Sequence, residues 1–351
     1  MALLEVSDLH VGFESRRGIG PWANRSILRA VDGIDLTVDR GEAIGVVGES
    51  GCGKSTLARA IVGLTEPTSG QILLDGIALN ARRERADRRR IQMVFQDPSS
   101  SLNPQVPIGR MLVELLEVNG LASGAAAKAR AAELLELVQL PASLLDRYPR
   151  RLSGGQRQRV GIARAIALDA DVIVADEPVA ALDVSVQAAV LNLLNDLRRR
   201  LGLAIVFISH DLGVVRHVCD RVAVVYLGRV VEEADRTEIF ERPKHPYTQA
   251  LINAVPTITS TPARLVGLTR RTTRPADRPT GCSFRLRCPS AIDRCSVDDP
   301  QSTARAVTGS PAMSSRSTRS APTAGSASDT RQQAAFTHRS RGRPSPAAQH
   351  R

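Results

Sequence analysis

Lysine is nearly absent from this sequence. Of 47 basic residues only Lys54, Lys128 and Lys244 are lysines, and the rest are arginines. Aromatic residues make up 3% of the chain, with a single tryptophan. Its interior must therefore be packed with Ala, Leu and Val, which suits an α/β core. Long apolar runs are missing too: none approaches the roughly 20 residues of a membrane span. The start, Met1-Ala2-Leu3-Leu4-Glu5, has no basic region followed by an apolar stretch, so no signal peptide is expected. The five cysteines are expected to stay without disulfides in a reducing compartment. Together these absences predict a soluble, cytosolic protein whose membrane role, if it has one, comes from a partner.

Acidic excess is also lacking, and the net charge of +11 has one source. From Pro256 to the end there are 16 arginines, no lysine and five aspartates, so this segment carries the whole excess. The remainder holds 31 basic and 31 acidic residues. A nucleic-acid enzyme usually presents a basic face on its folded core, and this core has no such surplus. Arg88-Arg89-Arg90 and Arg198-Arg199-Arg200 read as solvated helix ends.

What is present is organised around Gly48-Glu49-Ser50-Gly51-Cys52-Gly53-Lys54-Ser55-Thr56, which fits the phosphate-binding pattern G-x-x-x-x-G-K-[ST]. The apolar run at 43–47 reads as a buried strand before it, and Thr56 to Val62 reads as a helix after it. In that setting backbone N–H groups converge on an anion, aided by the helix dipole. Lys54 is expected to reach the β- and γ-phosphates and Ser55 to ligate Mg²⁺. A lysine here, in a chain with three, is not background.

Other candidates fall at strand ends. Residues 3–13 read as a strand, 15–26 as a loop, and 28–38 as a strand pair turning at Asp32-Gly33. Phe13 is either a core residue or a platform for a nucleotide base. Gln96 follows the strand 91–95, where open α/β sheets place ligand-binding groups. Residues 105–147 have helical spacing and read as an insertion between sheet strands. Ser153-Gly154-Gly155-Gln156 opens a helix; Ser153 and Gln156 form a capping box, and the glycine pair leaves N–H groups for an anion. The strand 171–175 ends in Asp176-Glu177. In a phosphate-binding sheet the first carboxylate assists Mg²⁺ and the second acts as base toward the attacking water. Asp183 precedes the helix 184–199, and His210 ends the strand 203–208.

These motifs, in this order, resemble the ABC-type ATPases over about residues 3–255. Gln96-Asp97-Pro98, Ser101-Leu102-Asn103-Pro104, Leu182-Asp183-Val184-Ser185 and Arg242-Pro243-x-His245-Pro246-Tyr247 are similar to the oligopeptide/dipeptide permease subfamily. The resemblance implies a P-loop α/β fold with an antiparallel β subdomain, a helical subdomain inserted at about 100–155, and a short C-terminal extension. It implies ATP hydrolysis with Mg²⁺ that energises import, with di- or oligopeptides as cargo; a soluble ABC ATPase acting on nucleic acid or ribosomes is the alternative. It further implies a second ATPase subunit, identical or different, two transmembrane permease subunits, an indirect solute-binding protein and no nucleic acid. The expected location is the cytoplasmic face of the membrane.

Carried onto this sequence, the resemblance places Phe13 on adenine, Lys54 and Ser55 on ATP and Mg²⁺, and Asp176 and Gln96 beside the metal. Glu177 becomes the base, His210 a γ-phosphate contact, and Ser153 to Gln156, with Asp183, part of a site shared across a head-to-tail dimer. Ala180 departs from the serine the family usually has there. In the extension, Cys282, Cys288 and Cys295 are spaced C-x₅-C-x₆-C. Some members hold a four-iron, four-sulfur cluster on four such cysteines. Here the fourth is missing, and a cluster would need His338 or an external ligand. The expected organisation is an ATPase domain over 1–255, the extension over 256–300, and a disordered Ser/Arg/Thr/Ala/Pro tail over 301–351.

Overall fold

The computed structural model describes residues 2–17, 24–80, 82–97, 101–254 and 278–298. The expected tail at 301–351 and His338 lie outside them. Two sheets organise the described residues. In one, β1 (Leu4–Arg17), β2 (Asn24–Val38), β4 (Ser69–Leu74) and β5 (Ile77–Ala78) pair antiparallel in the order β2-β1-β4-β5. The other contains β3 (Ala43–Val47), β6 (Ile91–Val94), β7 (Val172–Asp176), β8 (Ala204–Ser209), β9 (Arg221–Tyr226) and β10 (Arg229–Asp235). Its order is β10-β9-β3-β8-β7-β6, parallel except for the β9–β10 hairpin. Strands β3, β7 and β8 are buried at every position. This is why they read as continuous apolar runs: a parallel sheet is covered on both faces.

One face of the parallel sheet packs with α1 (Lys54–Ile61) and the antiparallel sheet, through Leu57, Ala58 and Ile61 among the valines and isoleucines of both sheets. The other face meets the helices. Between β6 and β7 stand α2's successors α3 (Ile108–Val118) and α4 (Gly124–Leu137), α2 itself (Arg85–Arg90) lying before β6. Ile108, Leu112 and Leu116 share one face of α3 at i, i+4 spacing and are buried; Ala127, Ala131, Leu134 and Leu135 do the same on α4. The inserted helical unit expected from the sequence is thus present. It leads into α5 (Gly154–Ile166), and the sheet then continues through α6 (Val184–Leu201) and α7 (Leu212–Val218). Two short helices follow, α8 (Arg236–Glu241) and α9 (Pro246–Asn253). Among the described residues no helix is long and apolar enough to cross a membrane.

One local expectation is corrected. Residues 28–38 are not a strand pair turning at Asp32-Gly33; they belong to the single strand β2, paired with β1 almost end to end. Gly33 sits at φ 76°, a local bend that glycine tolerates, and the register slips at three places nearby. The expected loop 15–26 is likewise shorter, since Ser15 pairs with Ser26 and Arg17 with Asn24.

Candidate functional site

The site gathers at the carboxyl ends of β3, β6, β7 and β8. Val47 leads into the phosphate-binding loop, whose glycines let it press on its neighbours. Gly53 lies at φ 109°, and a Cβ there would come within 2.1 Å of the Ala30 carbonyl oxygen of β2. Among the described residues, the N–H groups of Ser50, Gly51, Gly53, Ser55 and Thr56 meet no acceptor, while that of Lys54 donates to the Cys52 sulfur. Unmatched donors at a helix start constitute an anion site. Lys54 is only 5% exposed, and its ammonium donates to the Gly48 and Glu49 carbonyls at 2.7 and 2.9 Å. Cys52 Sγ stands 3.7 Å from it, and burial pushes this thiol up, so it remains neutral.

The metal expectation can be tested on the donor set. Ser55 Oγ donates to Asp176 Oδ1 at 3.1 Å. Asp176 is buried, and burial raises its carboxyl above the ordinary range despite that hydrogen bond. Among the described residues it has no ion-pair partner within 4.0 Å. A hydroxyl beside a buried, unneutralised carboxylate at a phosphate-binding loop fits a hard divalent cation. Gln96, expected beside the metal, donates instead to Glu177 Oε2 at 3.1 Å.

Glu177 follows Asp176 with a left-handed backbone, φ 47°. Its second oxygen lies 3.0 Å from His210 Nδ1. A carboxylate only accepts, so Nδ1 carries the hydrogen in this arrangement. Gln96, Glu177 and His210, read separately from three strand ends, are thus one hydrogen-bonded group. Phe13, near the far end of β1, is 44% exposed, as a stacking platform must be rather than a core residue.

Ser153 to Gln156 form their expected capping box: Gln156 N–H donates to Ser153 Oγ at 3.3 Å and Ser153 N–H to Gln156 Oε1 at 3.0 Å. Gly154 packs toward Leu182 and Gly155 toward Val186, the segment around Asp183, which is exposed at the start of α6. Among the described residues no hydrogen bond or ion pair joins 153–156 to the phosphate-binding loop. These two expected halves are therefore not brought together within one chain.

The iron–sulfur expectation finds no support in the described residues. Among the described residues no group of three or more His, Cys, Asp or Glu side chains could hold a metal ion. Cys282, Cys288 and Cys295 instead pack against the apolar core beside Phe284, and the Cys282 N–H donates to the Cys295 carbonyl at 3.0 Å.

Two residues at the site carried no chemical signal in the sequence. Tyr247 accepts the Glu49 N–H at 2.8 Å, and Arg287 makes two hydrogen bonds to the Glu49 carboxylate. Both belong to patterns visible in the chain, His245-Pro246-Tyr247 and Phe284-x-x-Arg287-Cys288, but nothing in those patterns points to the loop.

A strand–loop–helix with unmatched N–H groups, a buried lysine, a hydroxyl–carboxylate pair and a carboxylate held by Gln and His defines a P-loop ATPase of the cassette type. Comparison with known proteins agrees and goes further. Residues 31–180 match the ABC transporter family, and 231–295 match the C-terminal region of oligopeptide/dipeptide transporters. A Brucella ovis protein named for peptide import and ATP binding is 50% identical over 282 residues, 78% of this chain and 88% of its own. The dipeptide transport ATP-binding protein DppF of Escherichia coli is 43% identical over 303 residues, 85% of this chain and 90% of its own. Among solved structures, the dimeric post-hydrolysis ATP-binding cassette MJ0796 with ADP and Pi is 30% identical with a TM-score of 0.57, covering 66% of this chain and 98% of that one. The chain belongs to the ABC transporter ATP-binding family, in the group that carries the oligopeptide/dipeptide C-terminal region, and it is an ATPase.

Proposed function

We propose that this chain is the ATP-hydrolysing subunit of a peptide importer, working on the cytoplasmic face of the membrane with two permease subunits and a second ATPase chain. The peptide cargo rests on the names of its relatives and on the C-terminal region it shares with them. The chemistry rests on one observation, the Glu177 carboxylate suspended between His210 Nδ1 and Gln96 Nε2 beside the Ser55–Asp176 pair.

Each residue then has a task. The free N–H groups of the loop receive the phosphates, and Lys54 exchanges its bonds to the Gly48 and Glu49 carbonyls for phosphate oxygens. Phe13 stacks on the adenine. Ser55 and Asp176 would hold Mg²⁺, which supplies charge neutralisation on the phosphates when bound. Glu177 takes a proton from the water that attacks the γ-phosphorus. A carboxylate offers four lone-pair positions, so two remain for that water while His210 and Gln96 stay bound. Ser153 to Gln156 and Asp183 close the site from the second subunit; the similar cassette MJ0796 is itself dimeric.

Glu177→Gln keeps the shape and removes the basic oxygen. It is expected to bind ATP as the parent does and to lose roughly 10²–10⁴-fold in turnover, the range for removing a positioned general base. Equal turnover in the two proteins would reject Glu177 as the base. For the cargo, a strain lacking this chain should lose uptake of a labelled dipeptide and regain it with the parent but not with Glu177→Gln. Uptake that is indifferent to the chain would reject peptide import while leaving ATP hydrolysis standing.

A further inference from the structure

Residues 278–298 take no part in the chemistry above, yet they close on the loop that performs it. Arg287 is 7% exposed. Its Nη1 and Nη2 each donate to one oxygen of Glu49, both at 2.8 Å. The guanidinium lies 5.7 Å from the ring centre of Tyr226 and 5.9 Å from that of Phe284. Phe284 in turn meets Tyr226 edge-on at 5.2 Å and lies 5.5 Å from Tyr247 and 5.4 Å from His245. In a chain with three tyrosines and six phenylalanines, two tyrosines and a phenylalanine are concentrated behind one loop.

Glu49 is therefore held at three atoms groups at once. Tyr247 accepts its N–H, Arg287 binds its carboxylate, and its carbonyl accepts from Lys54 at 2.9 Å. The extension has a second anchor as well. Arg278 donates to the Asp32 carboxylate and to the Leu227 carbonyl, and the N–H of the next residue, Gly228, donates to the Cys52 carbonyl at 2.7 Å. Two points of the loop, Glu49 and Cys52, thus touch what the extension grips. A planar guanidinium on a carboxylate fixes orientation as well as charge, and a binding loop held in its receptive shape loses less entropy when ligand arrives.

We propose that Arg287 is a positioning residue for nucleotide binding: through its paired hydrogen bonds to Glu49 the C-terminal extension holds the phosphate-binding loop in its receptive shape and so sets the affinity for ATP. Arg287 is too far along the chain to be part of the loop motif, and it acts only through Glu49. The inference rests on ATP binding at this loop, and one of its three readouts needs no nucleotide.

The test uses the full-length chain, with Arg287→Ala, Arg287→Lys, Glu49→Gln and the double variant Arg287→Ala/Glu49→Gln. Titration with a fluorescent mant-ATP and Mg²⁺ should show Arg287→Ala binding about tenfold more weakly, the scale of one charge-assisted bidentate pair whose carboxylate is partly exposed. Arg287→Lys, which keeps the charge and loses the fork, should fall between. The double variant should bind no more weakly than the weaker single variant, because both remove the same pair. Steady-state turnover should show a raised KM for ATP with kcat within about twofold, as for an interaction already made before the transition state. Without nucleotide, hydrogen exchange at the bonded loop amides of Glu49 and Cys52 should quicken in Arg287→Ala while β7 and β8 keep the parent's protection. Losses that add in the double variant, parental affinity in both Arg287 variants, or unchanged exchange at Glu49 and Cys52 would each overturn the proposal. If Arg287→Ala does not fold, Arg287→Lys and Glu49→Gln make the same measurements.

Discussion

Glu177 and His245 show how single residues are held for a purpose. A non-glycine residue at φ 47° costs roughly 1–2 kcal/mol. At Glu177 that conformation is secured by its own N–H, which donates to the Ile208 carbonyl at 2.9 Å, and by Gln96 and His210 on the side chain. The strain falls on the residue proposed as the base, as strained backbone at functional sites often does. His245 is held in a different way. Its Nδ1 accepts the Tyr247 N–H at 3.1 Å and caps α9, which requires a neutral ring. Burial pushes its pKa below the ordinary 6.5, although the charge of Glu232 opposes this. Below pH 6.5 the unfolded chain then binds a proton that the folded chain refuses. The stability due to this cap is complete above pH 6.5 and is lost as pH falls toward the folded value. Asn caps equally well and does not titrate. His245→Asn is therefore expected to flatten the fall in melting temperature between pH 7 and pH 5, and equal slopes in the two proteins would contradict this.

At the scale of elements, the link between β10 and α9 depends on one buried carboxylate. Glu232 of β10 is 5% exposed and accepts the N–H groups of Lys244 and His245 at 2.8 and 2.9 Å. Removing it leaves two backbone donors without their acceptor, at a cost of about 1–3 kcal/mol. Glu232→Ala should lower the urea midpoint accordingly, and a midpoint within error of the parent would show that these bonds contribute nothing. The same link explains what the sequence could and could not reveal. Strands β3, β7 and β8 were legible because burial on both faces leaves unbroken apolar runs, and Lys54, Asp176, Glu177 and His210 were legible because each stands at a strand end within a few residues of such a run. The β1–β2 ribbon was only half legible. Slips of register between Val6 and Gly12 interrupt the alternation on which strand reading depends. Tyr247 and Arg287 were visible as parts of patterns, but their common target lies 198 and 238 residues away. No local spacing encodes a contact of that range.

At the scale of the whole molecule, the described residues hold two candidate phosphate-binding surfaces that no hydrogen bond or ion pair joins. One is the phosphate-binding loop with Glu177; the other is the start of α5, where Ser153 is exposed and the glycines after it offer N–H groups that no residue of the loop engages. A helix N-terminus attracts an anion only within about its first turn, so Ser153 can act on phosphate only when another subunit supplies it. If the proposed head-to-tail dimer is correct, two differently disabled copies should repair one another. Lys54→Ala removes the loop's ammonium and leaves the α5 surface intact; Ser153→Arg blocks the α5 surface and leaves the loop intact. Alone, each forms dimers in which both composite sites are broken. Mixed, they form dimers with one site broken twice and one site whole. With equal amounts and random pairing, half of the dimers contain one whole site, so the mixture should recover up to about a quarter of parental turnover if the two sites work independently. Recovery should also rise with total protein concentration, because it depends on association. Were Ser153 to serve its own chain's loop, no mixture could contain an intact site, and turnover would stay at the level of the two variants measured apart.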